Sequence, residues 1–138
     1  MSPKMPRTKD VPKDMYSNFM KRADECFHAA NYSFDSKEWT ACAISAIHAV
    51  IAACDAVCVY YLGKHSLGES HNDAVTVFKS IGNDEEVTVN ANRIAKILRT
   101  KNMAEYEQRL VFKSEAETIM KDCSRLLEFA RKRLPNNR

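Results

Sequence analysis

A cluster of charged, amide and phenol side chains lies between two predicted helices, and its residue types suit the binding of an anion. The chain has two cations, Arg99 and Lys101, followed by Asn102, Glu105 and Tyr106. Guanidinium and ammonium groups hold phosphate, an amide hydrogen-bonds, and a phenol ring stacks on a base. If this segment is helical, Glu105 pairs with Lys101 one turn earlier. The alternative is a solvated polar loop whose ion pair contributes little.

Other catalytic or metal-binding motifs are not found in the sequence. It has no Gly-rich phosphate loop, Ser-His-Asp order, zinc spacing or His-Glu-x-x-His pattern, so we expect no metal and no cofactor. His48 lies inside an apolar segment and is interpreted as a hydrogen-bonded core histidine. Asp55 follows it by seven residues, so the two share a helix face and are predicted to belong to one buried polar network. Cys54 and Cys58 also share a face and are interpreted as small core residues.

The element that must position these groups is the apolar stretch from Trp39 to Leu62, which is predicted to form the central helix. It contains no Gly or Pro and is rich in alanine, the best helix former. Asp35 and Ser36 precede it, and Gly63 provides a left-handed exit. Its length would allow a membrane span. Because His48 and Asp55 would be costly in lipid, we instead predict a buried helix of a soluble bundle.

The remaining segments predict helices on both sides of this one. Apolar spacing predicts helices over Lys13–Asn31, from Ser70 to Ile81 with Ser70 as the cap, over Glu85–Leu98, and from Ser114 to Leu134 with Ser114 and Glu117 as a capping box. Residues 1–12 are predicted to be a flexible tail, Lys64–Glu69 a loop, and residues 135–138 a C-terminal tail. Short links between long helices predict an all-α, up-and-down four-helix bundle with one additional short helix, over residues 13–134.

The composition excludes several classes of protein. The 138 residues are enough for a single core, and a net charge of +3 is too small to imply nucleic-acid binding by itself. Five cysteines, an odd number without close paired spacing, favour a reducing compartment over a disulfide framework. No apolar run follows the charged N-terminus, so no signal peptide is predicted. We therefore expect a cytoplasmic protein.

Taken together, three segments resemble the HEPN (higher eukaryotes and prokaryotes nucleotide-binding) domains. They are the small-residue helix ending in Tyr60-Tyr61-Leu62-Gly63, the segment Glu69–Val75 that opens the third helix, and the segment Leu98–Glu107 before the last helix. Each pattern is loose, and their order and spacing are more specific than any one alone. The resemblance covers most of residues 36–134. It implies a helical fold and a two-fold homodimer with its interface near the start of the last helix.

The resemblance also implies two alternative functions. The ribonuclease members of the family have an arginine followed four to six residues later by a histidine, and they resemble metal-independent endonucleases. Here the window has Arg99 and Lys101 but no histidine, and it resembles the Arg-Asn-x-Ala-Asp-Tyr variant, with Lys101 for the arginine and Glu105 for the aspartate. The first alternative is a non-catalytic module that docks a nucleotide, RNA or a partner protein such as a nucleotidyltransferase. The second is an RNA endonuclease of a toxin–antitoxin type with an altered site.

Overall fold

The computed structural model describes residues 6–68 and 70–135, and their fold is a helical bundle. The elements in chain order are β1 (Thr8–Asp10), a 3₁₀ helix (Lys13–Met15), α1 (Tyr16–Asp35), α2 (Trp39–Leu62), β2 (Lys64–Ser66), α3 (His71–Lys79), α4 (Glu85–Arg99), α5 (Lys101–Tyr106) and α6 (Lys113–Arg133). The four long helices are those that the sequence predicts, α3 is the predicted short helix, and α5 is a further short helix that was not predicted.

The direction of each long helix follows from contacts at its two ends. The ring of Phe34 in α1 lies 5.1 Å from Trp39 at the start of α2, and Tyr16 lies 5.0 Å from Tyr60 at the end of α2, so α1 and α2 are antiparallel. In α4 and α6, Arg133 pairs with Asp84, which precedes α4, and Lys96 lies 3.1 Å from Asp122. These two helices are antiparallel as well, and the bundle is up-and-down as predicted.

The central helix α2 is buried on most of its surface. Its N-terminal half packs on α6, where the thiol of Cys123 donates to the Ala46 carbonyl oxygen at 3.5 Å. Ala46, Ala49 and Ala53 are fully buried, in agreement with the close-packing ridge that their spacing predicts. The left-handed φ of +70° at Gly63 confirms the predicted exit. Although α2 is long and apolar enough to cross a membrane, 72% of its most apolar window is buried inside the domain.

The N-terminal segment differs from the prediction of a flexible tail. Thr8–Asp10 form β1 and pair antiparallel with β2, with Lys9 opposite His65. The Val11 N–H also donates to the Gly63 carbonyl oxygen at 2.9 Å. The predicted loop after α2 is therefore a strand over residues 64–66, because the backbone groups of residues 7–11 are in place to pair with it. Residues 1–5, 69 and 136–138, which complete the predicted tails and loop, lie outside the described residues.

Two helix ends also differ from the sequence analysis. The helix α1 continues to Asp35 through the predicted connection, and Asn31 donates a side-chain hydrogen bond to the Phe27 carbonyl oxygen at 3.0 Å. Ser114 does not cap α6, which begins at Lys113; instead the Glu115 carboxylate accepts from the Phe112 N–H at 2.9 Å. At α3 the prediction is confirmed, since the Ser70 hydroxyl accepts from the Asp73 N–H at 3.1 Å.

Candidate functional site

The predicted site residues lie at the end of α4 and along α5. Lys101, Glu105 and Tyr106 are brought together on α5. Arg99 and Asn102 are exposed, and their side chains make no hydrogen bond or ion pair with another described residue. α5 is held to the bundle by Ala104, whose side chain is buried. We call Arg99, Lys101, Asn102, Glu105 and Tyr106 the α5 patch.

An ion pair between Lys101 and Glu105 organises this patch. The Lys101 ammonium Nζ lies 2.9 Å from Glu105 Oε2, one helical turn away, and 5.8 Å from the centroid of the Tyr106 ring. Desolvation by partial burial opposes ionisation of Glu105, but the hydrogen bond and charge of Lys101, with His48 and Tyr106, together lower the pKa of this carboxyl. Glu105 is therefore ionised near neutral pH and acts as an acceptor.

His48 joins the same group of side chains from α2. Its Nε2 atom lies 3.2 Å from Glu105 Oε1, and about half of its side chain (51%) is exposed. The prediction that His48 is a core residue is wrong, because α5 covers the N-terminal half of α2 only in part. Sequence spacing gives no signal for this pair, because the two partners are 57 positions apart along the chain.

Asp55 lies in a separate concavity beside the α5 patch. The concavity has a volume of about 250 Å³ and is lined by Ile51, Asp55, His65, Ser66, Leu67, Gly68, Ser70, Ala74, Leu98 and Lys101. Desolvation by burial raises the pKa of Asp55 to about 6, although electrostatic interactions with His65 and Arg22 oppose the change. The predicted buried network of His48 with Asp55 is not formed: the charged neighbour of His48 is Glu105, and those of Asp55 are His65 and Arg22.

The N-terminus of α6 follows the α5 patch along the chain, and its free N–H groups already have a carboxylate beside them. Arg109 forms a bidentate ion pair with Glu115, at 2.9 and 2.8 Å, and Glu115 accepts the Phe112 N–H. The hydrogen bond from Arg109, followed by that from Phe112, lowers the pKa of Glu115 to about 2. This end of α6 therefore has its own negative charge and does not extend the α5 patch.

The thiols behave as core residues. The cysteines are free, and Cys42, Cys54, Cys58 and Cys123 are buried. Burial raises the pKa of Cys42 to about 11 and that of Cys123 to about 12, so both stay protonated and unreactive near neutral pH. Within residues 6–68 and 70–135, His, Cys, Asp and Glu side chains do not gather in a group of three or more that would hold a metal ion.

Comparison with known proteins is consistent with this architecture. A comparison with curated proteins found no match. The family model described as the HEPN domain matches residues 16–134, from the first residue of α1 to the residue after α6. The matched region contains the α5 patch, His48 and the Asp55 concavity. The chain belongs to the HEPN domain family.

Proposed function

We propose that this chain is a non-catalytic HEPN module that binds the phosphates of a nucleotide or of single-stranded RNA on its α5 patch. The observation that carries the proposal is the ion pair of Glu105 with Lys101, at 2.9 Å, in the window where the ribonuclease members have a histidine. General acid catalysis needs a group that holds a proton near the working pH. A carboxyl whose pKa is lowered has no proton to give at neutral pH.

The binding part of the proposal rests on the exposed residues of the patch. Arg99 has no partner among the described side chains, so it can meet a phosphate without breaking an existing ion pair. Tyr106 is 72% exposed, which leaves its ring open for stacking on an unpaired base. The Asn102 amide is exposed between them in sequence and offers both a donor and an acceptor.

A homodimer with its interface next to this patch is part of the same proposal. Leu110 and Phe112 are 72% and 60% exposed, and they lie two positions apart just before α6. Large apolar side chains clustered in this way are typical of protein interfaces. We also propose a cytoplasmic location and, as a protein partner, a nucleotidyltransferase.

One observation favours an endonuclease as the second candidate. His48 supplies from α2 the imidazole that the sequence window lacks, and its Nε2 lies next to Glu105 at the edge of the patch. A carboxylate beside an imidazole orients the ring by accepting a hydrogen bond from it. In this alternative His48 transfers the protons and Arg99 holds the phosphate.

The experiment that separates the two functions combines binding and cleavage assays on one RNA. Purified protein is incubated with labelled single-stranded RNA, without divalent metal, and both anisotropy and product gels are recorded. We expect binding without cleavage. In Arg99→Ala/Lys101→Ala the affinity should fall about tenfold or more, and the log–log salt dependence should become shallower by about 0.7 for each lost phosphate contact.

A variant with the same loss of charge far from the patch serves as the control. Arg125 and Lys132 lie on α6 and line a concavity together with Glu86, at the start of α4. Arg99 lies at the opposite end of α4. Arg125→Ala/Lys132→Ala should therefore bind RNA like the unmodified protein. Equal losses in both double variants would contradict a specific patch. Cleavage that is lost in His48→Ala would replace the non-catalytic proposal by the endonuclease.

A further inference from the structure

The concavity around Asp55 is lined mainly by apolar side chains. Its apolar lining comes from four elements: Ile51 on α2, Leu67 after β2, Ala74 on α3 and Leu98 on α4. Such a cavity, apolar with a few polar groups, is typical of small-molecule sites. Its volume of about 250 Å³ is enough for one base.

The polar groups of the concavity are arranged around one carboxylate. Asp55 is partly buried, and no hydrogen bond from another described residue reaches its carboxylate oxygens. A buried carboxylate without donors is costly, which is why burial raises its pKa to about 6. A ligand that brings donors would remove much of this cost.

The imidazole of His65 is a second polar group that lines the concavity, and its hydrogen bond fixes the position of one ring hydrogen. Its Nδ1 lies 2.7 Å from the carbonyl oxygen of Ser66, which can only accept, so Nδ1 carries the hydrogen. The imidazole also packs on Phe19, with 5.4 Å between the ring centroids. Both contacts hold the imidazole ring in one orientation beside Asp55.

Lys101 belongs both to this concavity and to the α5 patch. It lines the mouth of the concavity and pairs with Glu105. A nucleotide whose base enters beside Asp55 would therefore have its phosphate near a cation that the proposed function already uses. The contact of the phosphate with Lys101 rests on the proposed function. Recognition of the base depends only on Asp55.

We propose that the Asp55 concavity is a guanine pocket, in which the two carboxylate oxygens accept the N1–H and N2–H donors of the base. Guanine presents two adjacent donors on its Watson–Crick edge. Adenine and cytosine each present one amino group next to an acceptor, and the single N3–H of uracil stands between two carbonyl oxygens. A carboxylate offers only acceptors, so these three bases would each place an acceptor against it.

The base can come from a free nucleotide or from single-stranded RNA, and the test has an arm for each source. In one arm, GMP and AMP are titrated into the full chain and followed by NMR. In the other, oligouridylate with one central guanosine is compared by anisotropy with the same strand carrying adenosine. We expect a preference for guanine of about tenfold or more, as one bidentate pair provides.

Asp55→Asn is the variant that tests the carboxylate, because it keeps the shape and changes one acceptor to a donor. We expect the guanine preference to fall to less than about twofold, while binding of oligouridylate is unchanged. Asp35→Asn, at the exposed end of α1, is the matched control and should keep the preference. As a second variant, Ala74→Leu narrows the pocket with Asp55 intact and should weaken guanine binding as well.

Each outcome decides the inference. A preference seen only with GMP, or only in the oligonucleotide, supports the pocket and identifies the source of the base. No preference in either arm, no binding of any probe, or a preference that persists in Asp55→Asn overturns it. Arg99 does not line the pocket. If Arg99→Ala leaves RNA binding unchanged but Asp55→Asn removes the guanine preference, the α5 patch fails and the pocket stands.

Discussion

The partly buried carboxyl of Asp55 destabilises the folded protein by an amount that depends on pH. This pH dependence can be measured without any ligand. Its pKa is about 6 in the folded protein and 3.8 ordinarily. The folded state thus binds the proton more tightly than the unfolded chain does, so the free energy of unfolding falls as the pH rises from about 4 to about 6. Above about pH 6 the ionised Asp55 lowers the free energy of unfolding by its full amount, which is at most about 3 kcal/mol.

Asp55→Asn should therefore stabilise the protein, and more so at higher pH. Because the amide cannot ionise, we expect a gain of about 1 kcal/mol at pH 4.5 that rises to about 3 kcal/mol at pH 7.5. Urea unfolding at the two pH values measures the gain. Asp35→Asn, which changes an exposed carboxyl, should show little effect at either pH. A loss of stability at pH 7.5 would mean that the carboxylate has a structural partner.

His48 illustrates how a residue can be placed on the correct helix and assigned the wrong environment. Its position within α2 was predicted, but 51% of its side chain is exposed and its partner is Glu105. Asp55 and Glu105 have opposite changes in pKa. Burial raises the pKa of Asp55, whereas Lys101, together with His48 and Tyr106, outweighs desolvation and lowers the pKa of Glu105. The directions differ because Lys101 pairs directly with Glu105, whereas His65 and Arg22 only partly oppose the effect of burial on Asp55.

At the scale of elements, the packing of α2 depends on small side chains. Ala49 is fully buried in the middle of this helix. Its small side chain, like those of Ala46 and Ala53, allows the neighbouring helices to pack closely against α2. Ala49→Leu adds three carbon atoms to a filled space and should destabilise the fold by about 1–3 kcal/mol. Chemical denaturation with a constant m-value measures the change.

The control for this substitution lies on the same helix. Ala41 is exposed near the start of α2, so Ala41→Leu adds the same atoms in solvent and should change stability by less than about 0.5 kcal/mol. Equal costs at the two positions would argue against close packing around Ala49. An increase in stability for Ala49→Leu would indicate a cavity beside the ridge.

At the scale of the whole molecule, the exposed apolar residues before α6 predict a homodimer. Light scattering at tens of micromolar should give twice the chain mass of 15.7 kDa. Leu110→Lys/Phe112→Lys places two charges in the proposed interface and should give a monomer, since each charge would have to be desolvated on association.

The matched control for the dimer is an apolar residue exposed elsewhere. Val89 on α4 is 39% exposed, and Val89→Lys should leave the dimer intact. A monomer mass for the unmodified protein would refute the proposed assembly. Dissociation caused by Val89→Lys would place the interface on α4 instead.

The sequence by itself determined the parts of this protein that depend on local periodicity and end signals. The four long helices follow from apolar spacing, the start of α3 from Ser70, and the end of α2 from Gly63. The ion pair of Lys101 with Glu105 could also be predicted, because residues four apart on a helix are neighbours whatever surrounds them.

Only the tertiary structure decided which faces of these elements are covered. Because α2 is apolar on nearly every side, its sequence has no amphipathic stripe that would place His48 outside and Asp55 beside His65. The pairing of β1 with β2 joins residues more than fifty positions apart, and three-residue strands are too short to show a pattern. Such contacts form only when the helices have brought distant segments together, so local sequence carries little information about them.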